Sequence, residues 1–245
     1  MMSKLGQIVG CALIALPLCF CGSVWAADLA KISDELTTLY MAARQVVSDN
    51  QAHINNPDLG NKGLSADAVV SKTLENYQKA TNKTLDTTNL SKAQKAMLDA
   101  VRQAMDENQD LINEKGTGFK GFLPAVFGRQ VATNFTKTMN QSMEIKLTAP
   151  KEYVRNRANR PDKWEHNVIE TMFKKPDYQT GKAFYEEGEV GGKKAFRFIL
   201  PEYYGPSCLS CHGTPKGERD ITGGLKEGAA LNELGGAISL TIYQD

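Results

Sequence analysis

The chain has 245 residues, and its 29 lysines and arginines are balanced by 28 acidic residues. So even a balance offers no basic surface for nucleic acid or for an anionic membrane, and neither is expected as a partner. The length allows one large domain or two small ones, and an apolar content of 41% is ordinary for a globular protein.

The first element is a leader. "MMSKLGQIVGCALIALPLCFCGSVWA" has a positive start at Lys4, an uncharged apolar run from about Ile8 to Cys21, and small residues at Val24 and Ala26. This pattern predicts a secretory signal peptide over residues 1–26, cleaved after Ala26. The alternative is an uncleaved N-terminal anchor, because the apolar run approaches bilayer-spanning length. Either way the body of the protein is expected in the periplasm or otherwise exported, with no transmembrane segment left after cleavage. Of the five cysteines only Cys208 and Cys211 lie outside this leader. A fold stapled by several disulfides is therefore excluded.

Next comes an internal duplication. "RQVVSDNQAHINNPDLGNKGL" from Arg44 aligns without a gap to "RQAMDENQDLINEKGTGFKGF" from Arg102. The identities cluster in N-Q-x-x-I-N and G-x-K-G, pairing Asn50 with Asn108, Gln51 with Gln109, Asn55 with Asn113, Lys62 with Lys120 and Gly63 with Gly121. Two copies are too few for a solenoid. Each copy reads as helix, turn, helix. Leu36, Leu39, Tyr40, Ala43 and Val47 follow helical spacing, as do Ala93, Met97, Ala100, Val101, Ala104 and Met105. Pro57 and Gly60, and Gly116 and Gly118, are the expected helix stops. Ser65 is the expected cap of the next helix in copy one, and Pro124 suits its first turn in copy two. Gly60 and Gly118, like Gly63 and Gly121, are expected at equivalent backbone positions. The expected division is copy one over 27–90, and copy two over 91–245 continuing into a mixed domain. Copy one is then expected to serve as packing or as a partner-facing surface.

From about Met143 the pattern changes. "MEIKLT" reads as a short strand and "RPDKWEHNVIETMF" as a helix. "AFYEEGEVGGKKAFRFILPEYY" reads as a hairpin turning at Gly191-Gly192, with Phe196, Phe198 and Leu200 alternating along one face. "GGAISLTIY" is a last strand. Helices feeding a small antiparallel sheet make an α+β fold.

Between hairpin and last strand lies "PSCLSCHGTPKGERDITGG", with Cys208, Cys211 and His212 in the spacing C-x-x-C-H. Two intervening residues put both thiols on one side of a single turn, where they can reach the two vinyl groups of one porphyrin. His212 can then meet the iron from the same turn. This favours one covalently attached haem c with His212 as proximal iron ligand. Structural zinc would need a second ligand pair, and only His53 and His166 remain as histidines outside the motif. A redox dithiol should open a helix in a βαβ setting, which is missing here. Zinc, dithiol and coincidence remain the weaker readings.

"RNRANRPDKWE", "FRFILPEYYGPSCLSCHG" and "LGGAISLTI" together resemble a single-haem c-type family with a PAS-like fold, the Tll-type haem proteins, also found as sensor modules of histidine kinases. The likeness covers about Phe119 to Tyr243 and, more loosely, the repeat. It implies a PAS-like haem domain preceded by the duplicated helix-turn-helix region. It also implies that the first motif and "LPEYY" wall the haem pocket. Arg155, Arg157, Tyr203 and Tyr204 are then candidates to meet the haem propionates, since a guanidinium can bond a carboxylate through two parallel hydrogen bonds. Some members supply a sixth iron ligand from a cysteine on a helix before the first strand. Here Phe127, Gly128 and Arg129 stand at that place. His53, His166 or a methionine such as Met105 or Met139 are the possible substitutes, or the position stays open. Solvated histidines and core methionines are the competing readings.

The expected function is redox or small-gas sensing or binding, with NO, CO or O₂ as the ligand. The alternative is an electron-transfer cytochrome c with a redox partner protein. No motif announces an enzyme. No output domain is expected after the last strand, so a sensor is expected to signal through a separate partner.

Overall fold

The structure is a computed structural model that describes residues 21–244. Most of the predicted leader, residues 1–20, lies outside the described residues. Helix α1 (Cys21–Asp49) runs without a break across the expected cleavage point at Ala26. Among the described residues no helix is long and apolar enough to cross a membrane.

Among the described residues, twelve α-helices and β-strands, α1 included, form the regular structure. After α1 come α2 (Gln51–Ile54), α3 (Ala66–Thr81), α4 (Lys92–Asp106), α5 (Gln109–Asn113) and α6 (Pro124–Thr138). Strand β1 (Met143–Thr148), helix α7 (Lys163–Val168), strands β2 (Phe184–Val190) and β3 (Lys193–Tyr203), helix α8 (Leu209–His212) and strand β4 (Leu234–Tyr243) follow. The strands form one antiparallel sheet in the order β1-β4-β3-β2. The fold is therefore α+β. The β2–β3 hairpin turns at Gly191 and Gly192, both with positive φ. On β3 the pleat sends Phe196, Phe198 and Leu200 into the main core, where Ile238, Leu240 and Ile242 of β4 and Ile145 and Leu147 of β1 join them. Ile199 and Ala237 point to the opposite face, against Val168, Ile169 and Phe173 of α7 and its π-helical extension. Helices α1 and α6 cover the main face, and α3 and α4 pack behind them.

Helix stops differ from the sequence expectation. The long helices end at Asp49 and Asp106, well before Pro57 and Gly116, because Asn50 and Asn108 turn back on them. The Asn50 and Asn108 side-chain amides donate to the carbonyls of Val46 and Ala104, 2.7 Å each. Short helices α2 and α5 then start separately. Ser65 caps α3 by accepting from the Ala68 N–H, and Pro124 opens α6. Gly63 and Gly121 share the left-handed backbone region, at φ of 63° and 69°, while Gly60 and Gly118 do not enter it.

Several residues identical between the copies bond across from one copy to the other. The Lys62 N–H donates to Asn113 and the Lys120 N–H to Asn55. Gln51 donates to the Phe122 carbonyl, and Gln109 to that of Leu64, 2.9 Å each. Both lysine side chains are buried. The Lys62 ammonium donates to the carbonyls of Asn56 and Leu59. The Lys120 ammonium does the same to Glu114 and Thr117. Backbone oxygens thus compensate the cost of burying each cation.

Candidate functional site

A cavity of about 1220 Å³ lies between α1, α6, the ends of β3 and β4, and the C-x-x-C-H turn. That exceeds the roughly 300–1,000 Å³ of typical small-molecule sites. Cys208, Cys211 and His212 all line it. They share one short helical stretch, a 3-10 turn over Pro206–Cys208 running into α8. Both cysteines are free thiols, neither buried nor fully exposed. Gly213 closes α8 by donating its N–H to the Leu209 carbonyl. A side chain at Gly213 would put its Cβ 2.5 Å from that same oxygen, so the turn requires glycine there. The Ser207 and Ser48 hydroxyls, 2.8 Å apart, tie the turn to α1.

His212 is held on two sides. Its Nδ1 lies 2.9 Å from Oε2 of Glu227. Its ring stacks on Tyr204, with centroids 5.1 Å apart. Burial first, and then the nearby Glu227 charge, raises the Tyr204 phenol well above the ordinary tyrosine range, so the phenol stays neutral.

Arg155 lines the cavity, yet its donors are engaged elsewhere. Nε and Nη2 grip the two oxygens of Glu227 at 2.6 and 3.0 Å. Nη1 pairs with Asp220, and Nη2 also reaches the carbonyls of Cys211 and Leu225. Arg155 therefore clamps the loop after the motif onto the motif itself. Arg157 is exposed and outside the cavity lining. Tyr203 lines the cavity beside Tyr204. From "RNRANRPDKWE" only Arg155, Asn156 and Asn159 reach the lining; from "LPEYY", all five residues do.

The two spare histidines do not reach this cavity. His53 bonds the Lys62 carbonyl through Nε2 at 2.9 Å, in the repeat loop. His166 lies on α7, 3.9 Å from Glu170. Met105 and Met139 are buried in the main core. Gly128 is buried against α1, where a Cβ would come within 2.8 Å of the Tyr40 hydroxyl and 2.9 Å of Arg44 Cδ. Arg129, beside it, does line the cavity.

Sequence reading missed the α1 wall. Met41, Arg44 and Ser48, spaced three and four apart, present one helix face to the cavity. Arg44 pairs with Glu202 of β3 at 2.5 Å. Copy one is thus part of the cavity wall, not packing or outer surface alone. Glu227 was missed because it sits in an irregular loop with no periodicity. Among the described residues no group of three or more His, Cys, Asp or Glu side chains is placed to hold a bare metal ion.

Asp220 makes a pH test of the clamp possible. Its side chain is fully buried, which opposes charge. Hydrogen bonds from Thr222 and Arg155 outweigh that and hold the carboxyl down to about 2, from an ordinary 3.8. A carboxyl depressed by folding adds stability above its unfolded pKa and loses it as pH falls through the folded value. The shift corresponds to about 2 kcal/mol. Asp220→Asn is expected to be less stable than the parent above about pH 5, with the gap narrowing between about pH 4 and pH 2. Urea midpoints across that range check it, and a gap independent of pH would refute it.

A large, partly apolar cavity with two free thiols and a fixed imidazole on one wall suits a flat ligand attached through sulfur. The family comparison agrees with the sequence. The family model described as Tll0287-like matches residues 31–242, and the chain belongs to that family. No curated protein and no solved structure matches it.

Proposed function

We propose that this is an exported, single-haem c-type protein that binds or senses a small gas or redox state on a PAS-like scaffold. Cys208 and Cys211 would hold the porphyrin as thioethers, and His212 would be the proximal ligand through Nε2. The observation that carries the reading is the meeting of both thiols and His212 on one helical stretch at the wall of a single large cavity. The residues fit the group in two further respects. With Nδ1 engaged by Glu227, only Nε2 of His212 is left for iron. Leu123, Val126, Leu147 and Leu200 supply apolar wall, and Arg129 supplies a guanidinium with no carboxylate within 4.0 Å among the described residues. Arg129 therefore joins the candidates for a propionate. An antiparallel sheet with helices on its main face and the cavity at its end supports the PAS-like scaffold. When bound, haem supplies an iron that can change oxidation state and take a diatomic ligand. The chain's own part is to hold, orient and shield it.

The second reading, an electron-transfer cytochrome, rests on Met41, which lines the cavity where neither His53 nor His166 does. Carriers commonly keep both axial positions filled, often by His and Met. Absorption spectra of ferrous protein with and without CO separate the two. The sensing reading expects ready CO binding, and the same spectrum in Met41→Leu. A low-spin parent indifferent to CO, with binding restored in Met41→Leu, would give electron transfer the better claim.

A further inference from the structure

We infer that Glu227 is the positioning residue for His212, and that its carboxylate sets how strongly the imidazole donates to iron. This rests on the haem reading above and goes beyond the motif, which ends at His212.

An ionised carboxylate can only accept a hydrogen bond, so the 2.9 Å contact places a proton on Nδ1 and, in the neutral imidazole that a metal requires, leaves the lone pair on Nε2. Glu227 cannot easily turn away. Arg155 holds it by two parallel hydrogen bonds and also bonds the carbonyl of Cys211, the residue before His212. One guanidinium thereby fixes both the carboxylate and the backbone of the motif. Tyr204 limits rotation of the ring by stacking on it. The Glu227 side chain is only 12% exposed, so solvent screens its charge weakly.

A carboxylate behind a metal-bound imidazole raises its basicity. More electron density at iron favours the ferric over the ferrous state and lowers the potential. Glu218, an acid on the same loop, does not have this reach: it is about half exposed and pairs with Lys226.

The test is the midpoint potential of purified holoprotein. Glu227→Gln keeps the shape of the side chain and removes its charge. It is expected to retain covalent haem and to shift the ferrous-to-ferric ratio at a given poise at least tenfold toward ferrous, about 59 mV for one electron. Glu218→Gln should leave the potential unchanged. If Glu227→Gln does not fold, Arg155→Lys, which keeps the charge and loses the fork, should shift the potential the same way by less. Haem attached at an unchanged potential in the folded Glu227 variant, or in Arg155→Lys where that variant must stand in, overturns the inference and leaves the haem reading intact. A parent protein without covalent haem removes both.

Discussion

Cys208→Ser/Cys211→Ser protein, made in cells competent for c-type maturation, is expected to carry no covalent haem at all. Each single variant is expected to keep the group through its remaining thioether. Both thiols face one cavity from a turn held by Ser48, Arg155 and Gly213, and none of these contacts uses sulfur. Replacing sulfur by oxygen should thus leave the turn in place and remove only the bond. His212 keeps its Glu227 and Tyr204 contacts in the double variant, so some haem can remain by coordination. Acid-acetone extraction followed by mass spectrometry distinguishes the two kinds of retention. A double variant that still has the mass of one haem would show that another residue carries the attachment.

The second large effect is expected at Arg197, in the middle of β3. Its guanidinium sits 4.2 Å from the centre of the Trp164 ring and bonds Asp162 at 2.6 Å, with Glu165 at 3.6 Å. Asp162 caps α7, and Glu165 returns the bond in a capping box. The Glu165 side chain is buried, with Lys146 as its other cation at 2.9 Å. Arg197→Leu would strand a buried carboxylate on one lysine and unpin α7 from the sheet. Breaking a buried pair typically costs about 3–5 kcal/mol, and the remaining lysine places this case near the lower end. Urea or thermal unfolding measures it; a loss under about 1 kcal/mol would mean that Lys146 alone suffices.

Much of the mixed half of the fold was legible in the sequence because its strands obey a period of two. Phe196, Phe198 and Leu200 announce an inward face, and Gly191-Gly192 announces the turn between β2 and β3. The repeat was legible for a different reason: several of its identical residues make the same contact in both copies. The centre of the site was legible in C-x-x-C-H, a local signal. What escaped was long-range. Arg44 and Glu202 meet across 158 positions of sequence, and Arg155 and Glu227 across 72. Neither pair has a spacing that helix or strand geometry would single out. Met41 escaped because it sits at the margin of the apolar stripe of α1, against the core on one side and the cavity on the other. The helix stops escaped because Asn50 and Asn108 end helices through their own amides, without the proline or glycine that usually signals it.

The exchanged bonds of the repeat have the form of an isologous interface, in which residue i meets j and j meets i, closed here within a single chain. Neither half is complete by itself: cut from copy two, the Lys62 loop would lose the Asn113 oxygen that orders its backbone. Such an interface would be symmetric in a true dimer, with every surface present twice. Within one chain the twins can diverge, and the two repeat arginines have done so. Arg102 lies on the outer surface with Asp67 and Asp99, while Arg44, its counterpart, pairs with Glu202 at the cavity wall. One helix of a matched pair is thereby released to face the motif, and its twin stays behind as support.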